Sequence, residues 1–319
     1  MGQLFLARCP RKNAVSDIKK YHLGGYILFA QDFEKETPAG VTGTIGSYQA
    51  ASKIPMLIAV DEEGGKVTRV SKYPAFRATP FLSPREIYAL GGLDALKQNE
   101  EEKSKLLSSL GINVNLSPVC DITTDPDAFM YPRSLGQDPE TTGLFAQVML
   151  KTMDENGISG VLKHFPGYGN NTDTHIAIAV DDRSLAQLES CDLVPFQMGI
   201  DSGCSAIMVS HTFINAVDET LPATLSPKVN AYLRSEMGFD GVVITDDLVM
   251  QAITDLYGAE DAAVMAVLAG NDILIVTDYA TQYPAVLQAV RDGRIPEQRI
   301  NEAVRRILTW KCRMGLLDI

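Results

Sequence analysis

Asp173 and His175 stand two residues apart at the end of the stretch Gly157–His175, GISGVLKHFPGYGNNTDTH. An imidazole that must give and take a proton needs a group that fixes its tautomer and stabilises its charged form. An aspartate in hydrogen-bonding reach does both. The stretch opens on an apolar run, Ile158–Leu162, which reads as a buried strand delivering Lys163 and His164 at its end. Pro166, Gly167, Gly169, Asn170 and Asn171 then argue against continued regular structure. A second acidic pair, Asp246–Asp247, follows another apolar run, VVIT.

These residues need a scaffold. Strand-like apolar runs recur at Gln3–Ala7, Gly25–Phe29, Pro55–Val60, Ile112–Leu116, Gly160–Lys163, Ala206–Ser210, Gly241–Thr245 and Asp272–Val276. Between them the spacing predicts helices near Val15–Tyr21, Val41–Ser52, Leu93–Leu110, Pro139–Asn156, Ser184–Asp201, Pro227–Met237, Gly258–Ala269 and Gln282–Asp292, with a last one at Pro296–Met314. Near-continuous Val, Ile and Leu strands alternating with helices indicate parallel pairing with both faces covered. Eight such units favour an α/β fold of the (β/α)8 TIM-barrel type, and the lack of a Pro- or Ser-rich linker predicts a single domain over residues 1–319. The first strand starts almost at Met1, so the long last helix is expected to close the barrel bottom.

Active sites of this fold lie at the C-terminal ends of the strands. Those ends carry Asp61 with Glu62 and Glu63, then Asp121, Lys163 with His164, His211, Asp246 with Asp247, and Asp278. For His211, a role in shaping the pocket and direct substrate contact both stay open. Asp247 is expected to cap a following helix.

The totals exclude several classes. A net charge of −12 and a pI near 4.8 count against a nucleic-acid partner. The five cysteines are scattered, without CxxC spacing, and read as reduced thiols. The start, MGQLFLARCPRKN, lacks the apolar centre of a signal peptide, and no run approaches a membrane span, so a cytoplasmic location is expected, with no membrane partner. A monomer is favoured. No HxH or HExxH spacing appears, and no metal or other cofactor is expected.

Four segments resemble glycoside hydrolase family 3, in particular its single-domain bacterial β-N-acetylglucosaminidase branch. AVDEEGGKVTR (Ala59–Arg69) is similar to the family's IDQEGGRVxR, YPRSLGQDP (Tyr131–Pro139) to RSFGxDP, LKHFPGYG (Leu162–Gly169) to KHFPGHG, and VVITDDLVM (Val242–Met250) to the nucleophile segment. The resemblance implies that Asp246 is the catalytic nucleophile and that Asp173-Thr174-His175 is the Asp-Ser-His dyad segment acting as general acid/base. It implies that Asp61, Arg69, Arg133, Lys163 and His164 bind the hydroxyls of the terminal sugar. Two departures stand out: Tyr168 replaces the second His of KHFPGHG, and the loop from Gly169 to Asp173 is one residue shorter than the pattern.

The implied reaction is a retaining, exo-acting cleavage of β-N-acetylglucosaminides from cell-wall or chitin fragments. A carboxylate meets the oxocarbenium-like centre from one face, while an acid protonates the leaving oxygen on the other. A cation such as Lys163 or Arg133 is expected near Asp246 to keep it ionised. Having His as the acid also leaves room for an anion such as phosphate as acceptor. A Schiff-base lyase built on Lys163 and a catalytically silent sugar-binding barrel are the rivals.

Overall fold

The computed structural model describes residues 1–123, 125–171, 173–174 and 178–318. Its strands are β1 (Phe5–Arg8), β2 (Gly25–Leu28), β3 (Leu57–Val60), β4 (Val114–Asn115), β5 (Ser159–Gly160), β6 (Leu162–Phe165), β7 (Val180–Asp181), β8 (Ala206–Val209), β9 (Phe213–Ile214), β10 (Asp218–Pro222), β11 (Val242–Thr245) and β12 (Leu274–Val276). β12, β1, β2, β3, β4 and β5 pair side by side in that order, each pair parallel. Only Val161 separates β5 from β6, so the two make one stave. β6 then pairs in parallel with β8, and β8 with β11.

The ring closes between β11 and the residues entering β12. Ile244 and Ile273 form a parallel bridge, Ile273 N donates to Val243 O at 3.0 Å, and Thr245 N donates to Ile273 O at 3.0 Å. Eight staves therefore surround one apolar interior, the predicted (β/α)8 barrel. The reason lies in the runs themselves: all four residues of β3 and of β11 are fully buried, which requires cover on both faces.

The outer layer is α1 (Ala14–Tyr21), α2 (Pro38–Ala51), α3 (Pro84–Ser109), α4 (Pro139–Glu155), α5 (Leu185–Glu189), α6 (Leu193–Asp201), α7 (Pro227–Ser235), α8 (Gln251–Thr254), α9 (Ala259–Ala269), α10 (Tyr279–Arg291) and α11 (Glu297–Arg313). α11 lies under the barrel, as expected of the last helix. Its Lys311 Nζ donates to Gln3 Oε1, Gly24 O and Pro55 O at the starts of the first three staves. Its Trp310 Nε1 donates to Ser159 Oγ at 2.8 Å. Among the described residues, no helix is long and apolar enough to cross a membrane.

Two local expectations need correction, and one element was not expected. α3 begins at Pro84, not near Leu93, because Ser83 and Glu86 form a reciprocal capping box; the chain then breaks at Gly91–Gly92 and resumes. The single helix expected over Ser184–Asp201 is two, since Ser190, Cys191 and Asp192 form a turn between α5 and α6. A small sheet of β7, β9 and β10 sits beside the loops that follow β6 and β8. Two of its strands are only two residues long, too short to show a period of two.

Candidate active site

The turn after β3 places three carboxylates in three directions. Asn115 of β4 grips it, with Glu62 N donating to Asn115 Oδ1 and Asn115 Nδ2 donating back to Glu62 O. Gly64, at φ +104°, lets the chain reverse; a Cβ there would stand 2.2 Å from Leu82 O. Glu62 is fully buried and accepts from the backbone N–H groups of Arg69, Val70 and Ser71, at 2.7, 2.8 and 3.2 Å. Its carboxylate thus folds the following segment back toward the barrel mouth.

Glu63 and Asp61 instead bind cations. Arg133 makes a two-pronged contact with Glu63, Nε to Oε2 at 2.9 Å and Nη2 to Oε1 at 2.7 Å. Lys163 Nζ lies 2.6 Å from Glu63 Oε1 and 2.7 Å from Asp61 Oδ1. Burial alone would raise the Glu63 pKa, but Arg133 and Lys163 outweigh it and hold the carboxyl well below the usual range. For Lys163, burial is likewise outweighed by Asp61 and Glu63, and the ammonium stays charged.

His164 completes this end. Its Nδ1 lies 2.7 Å from Asp121 Oδ2, and Arg133 Nη2 lies 3.3 Å from its Nε2. A guanidinium can only donate, so Nε2 accepts and the ring proton sits on Nδ1, aimed at Asp121. Asp121 also accepts from the N–H groups of His164 and Tyr168.

Asp246 leaves the end of β11, with its N–H donating to Val209 O of the neighbouring stave. Asp247 N donates to Asp246 Oδ1 at 2.8 Å, which fixes the carboxylate's orientation. Asp247 does not cap α8, whose N-cap is Met250. It accepts instead from Thr277 Oγ1 at 2.6 Å and Thr277 N at 3.2 Å, and burial raises its pKa. Lys163 and Arg133, the cations expected at Asp246, are engaged by Asp61 and Glu63.

These groups converge on a cavity of about 640 Å³ at the C-terminal ends of the staves. Asp61, Arg69, Arg133, Lys163, His164, Asp173 and Asp246 all line it. His211 is placed differently: fully buried, its Nε2 donates to Asp247 O at 3.0 Å, so it supports the Asp247 backbone from behind the cavity wall. His175 lies outside the described residues. The cavity also takes in Glu63, Arg8, Phe29, Lys66 and Phe129, which were not assigned from the sequence. Glu63 and Asp121 already stood at strand ends, the signal that finds them. Arg8 ends β1, and its guanidinium lies 4.6 Å from the centre of the Phe29 ring.

The ion-pair network of Asp61, Lys163, Glu63 and Arg133 and the carboxylates of Asp173 and Asp246 thus face one cavity, a set of donors, acceptors and acids that can serve glycosidic bond cleavage. The profile of the glycosyl hydrolase family 3 N-terminal domain matches residues 1–310. The chain belongs to glycosyl hydrolase family 3. It is 34% identical over 263 residues to a beta-hexosaminidase of Nitrosomonas eutropha, covering 80% of this chain and 74% of that protein. It is 31% identical over 311 residues to the beta-hexosaminidase LpqI of Mycobacterium tuberculosis, covering 94% of this chain and 78% of LpqI. Among solved family 3 structures, a β-N-acetylglucosaminidase from Paenibacillus sp. superposes with a TM-score of 0.91 at 33% identity, over 99% of this chain. The chain spans 62% of that enzyme's length.

Proposed function

We propose that the protein is a retaining exo-β-N-acetylglucosaminidase, with residues 1–319 acting as one catalytic barrel. The observation that carries this reading is that Asp246 and Asp173 line the same cavity as the Asp61–Lys163–Glu63–Arg133–His164 network. Relatives named for hexosaminidase and N-acetylglucosaminidase activity support the substrate class.

In the first step Asp246 attacks the anomeric carbon. The bond to the leaving oxygen breaks, and His175, next in the chain to Thr174, gives that oxygen its proton. In the second step His175 takes a proton from water, whose oxygen displaces the Asp246 carboxylate and restores the starting enzyme with retained configuration. Asp173 would hold the imidazole and balance its charge. The donors and acceptors at Asp61, Arg69, Arg133, Lys163 and His164 would fix the terminal sugar, and a ligand lacking a hydroxyl would leave one of them unpaired.

The enzyme would work as a monomer on cell-wall- or chitin-derived fragments in the cytoplasm. Five free thiols support a reducing compartment.

The test is turnover of 4-nitrophenyl β-N-acetylglucosaminide against the matching β-glucoside. Preference for the N-acetyl substrate is expected, with a loss on the order of 10⁴-fold in Asp246→Ala. With excess phosphate the free sugar should remain the product; sugar 1-phosphate would make the enzyme a phosphorylase. Activity on neither glycoside would favour a silent sugar binder.

A further inference from the structure

The short loop between Gly169 and Asp173 and the tyrosine at position 168, the two departures from the family pattern, meet at one contact. The Tyr168 and Thr174 hydroxyls are hydrogen-bonded to each other, and both residues are almost completely buried. Thr174 lies between Asp173 and His175 in the chain. Its carbonyl is held as well, accepting from Ala252 N of α8 at 3.3 Å.

The other side of Tyr168 is fixed to the sugar-binding end. Its N–H donates to Asp121 Oδ1 at 2.8 Å, and Asp121 also holds the His164 ring. The Tyr168 ring meets the His164 ring edge-on, with centroids 5.4 Å apart at 81°. Burial and the nearby Asp246 charge push the phenol far above its ordinary pKa, so its hydroxyl keeps its proton. A chain of contacts therefore runs from His164 through Asp121 and Tyr168 to Thr174.

We propose that Tyr168 is a positioning residue for the acid/base dyad: its hydroxyl, through Thr174, sets the reach of a shortened loop. This rests on the glycosidase reading above. A phenol extends further from the backbone than an imidazole, which suits a loop with one residue fewer.

The test compares kcat/KM on two β-N-acetylglucosaminides, one with 2,4-dinitrophenol and one with methanol as leaving group. The first leaving group departs without a proton and the second needs one. Tyr168→Phe keeps the ring and removes only the hydroxyl. It is expected to lower kcat/KM on the methyl glycoside by about 10²-fold and on the dinitrophenyl glycoside by less than about 3-fold, since only the methyl glycoside depends on general acid catalysis. Thr174→Val should show the same split and Thr174→Ser should retain activity. The double variant should be no worse than either single, because both remove one shared bond.

Equal losses on the two substrates, with wild type active on both, would overturn the inference and make the contact merely structural. No loss in either single variant would overturn it too. A wild type inactive on both would bring down the glycosidase reading and this inference with it. Should Tyr168→Phe fail to fold, Thr174→Val, which lacks the same bond, gives the same readout.

Discussion

The two ends of the barrel each bury a network of charges, and the two networks are built from the same ingredients. At the bottom, Asp272 is fully buried and accepts from Arg234 and Arg299 at 2.7 Å, from Arg306 at 3.3 Å and from Val243 N at 3.1 Å. Nearby, Lys311 directs its ammonium at three oxygens. At the top, Glu63 and Lys163 are as deeply buried, and Arg133 and Asp61 complete the cluster. Charge, burial and bond lengths do not tell the ends apart. The difference is what the groups face: the top network converges on a cavity of about 640 Å³, while the bottom one ties α11 to the strand starts. Buried charge marks a site only where it is left a concave space to act on.

The sharpest way to break this contrast is Lys163→Met. It leaves Asp61 without its cation and Glu63 with Arg133 alone, and removes a donor from the cavity lining. Removing one partner of a buried pair typically costs about 3–5 kcal/mol. On the glycosidase reading, kcat/KM should also fall by on the order of 10²- to 10³-fold at a temperature where the variant is folded, by analogy with unpaired polar groups in a specific site. Thermal melts and initial rates read the two separately. Full activity in a folded Lys163→Met would make the top network as structural as the bottom one.

Asp272→Asn is the matching change below. It keeps the shape and removes the one carboxylate that serves three guanidiniums. The expected cost is about 3 kcal/mol, read as a fall in Tm of roughly 4–5 °C, with kcat/KM at 25 °C unchanged within about 2-fold. A large activity loss in a folded variant would show that the two ends are coupled.

The contrast also explains what the sequence reveals. The eight staves are legible because each is a short apolar run flanked by polar turns, and strand ends then point to Asp61, Asp121, Lys163 and Asp246. The run DEEGG is not legible residue by residue: Glu62 and Glu63 are adjacent and chemically alike, yet Glu62 caps backbone N–H groups and Glu63 binds cations. His211 sits at a strand end like the others, but its ring turns to the Asp247 carbonyl, a choice made by packing against Thr224 that no spacing encodes. Glu100 and Lys103 on α3 went unassigned because nothing in their spacing marks them; both are buried, and Lys103 Nζ reaches Glu63 O at 3.3 Å. The capping box at Ser83–Glu86 marks the true start of α3, which apolar spacing alone put near Leu93.

The smallest effect is a slope with pH, and it tests how well the bottom network is satisfied. Burial lowers the Lys311 pKa from 10.5 to about 7, while its three oxygen partners favour the charged form. The unfolded chain keeps this proton until about pH 10.5, whereas the folded protein releases it near 7, so between those values the unfolded state binds more protons. Stability from this group therefore rises with pH across that window, by at most about 1.4 kcal/mol per unit. Below the window both states are protonated and the slope vanishes. Lys311→Met should remove the slope, so that denaturant melts at pH 7, 8 and 9 show wild type gaining on the variant. A gap that stays constant over that range would mean the three oxygens hold the ammonium charged in the fold, placing Lys311 beside Asp272 as a fully satisfied tie.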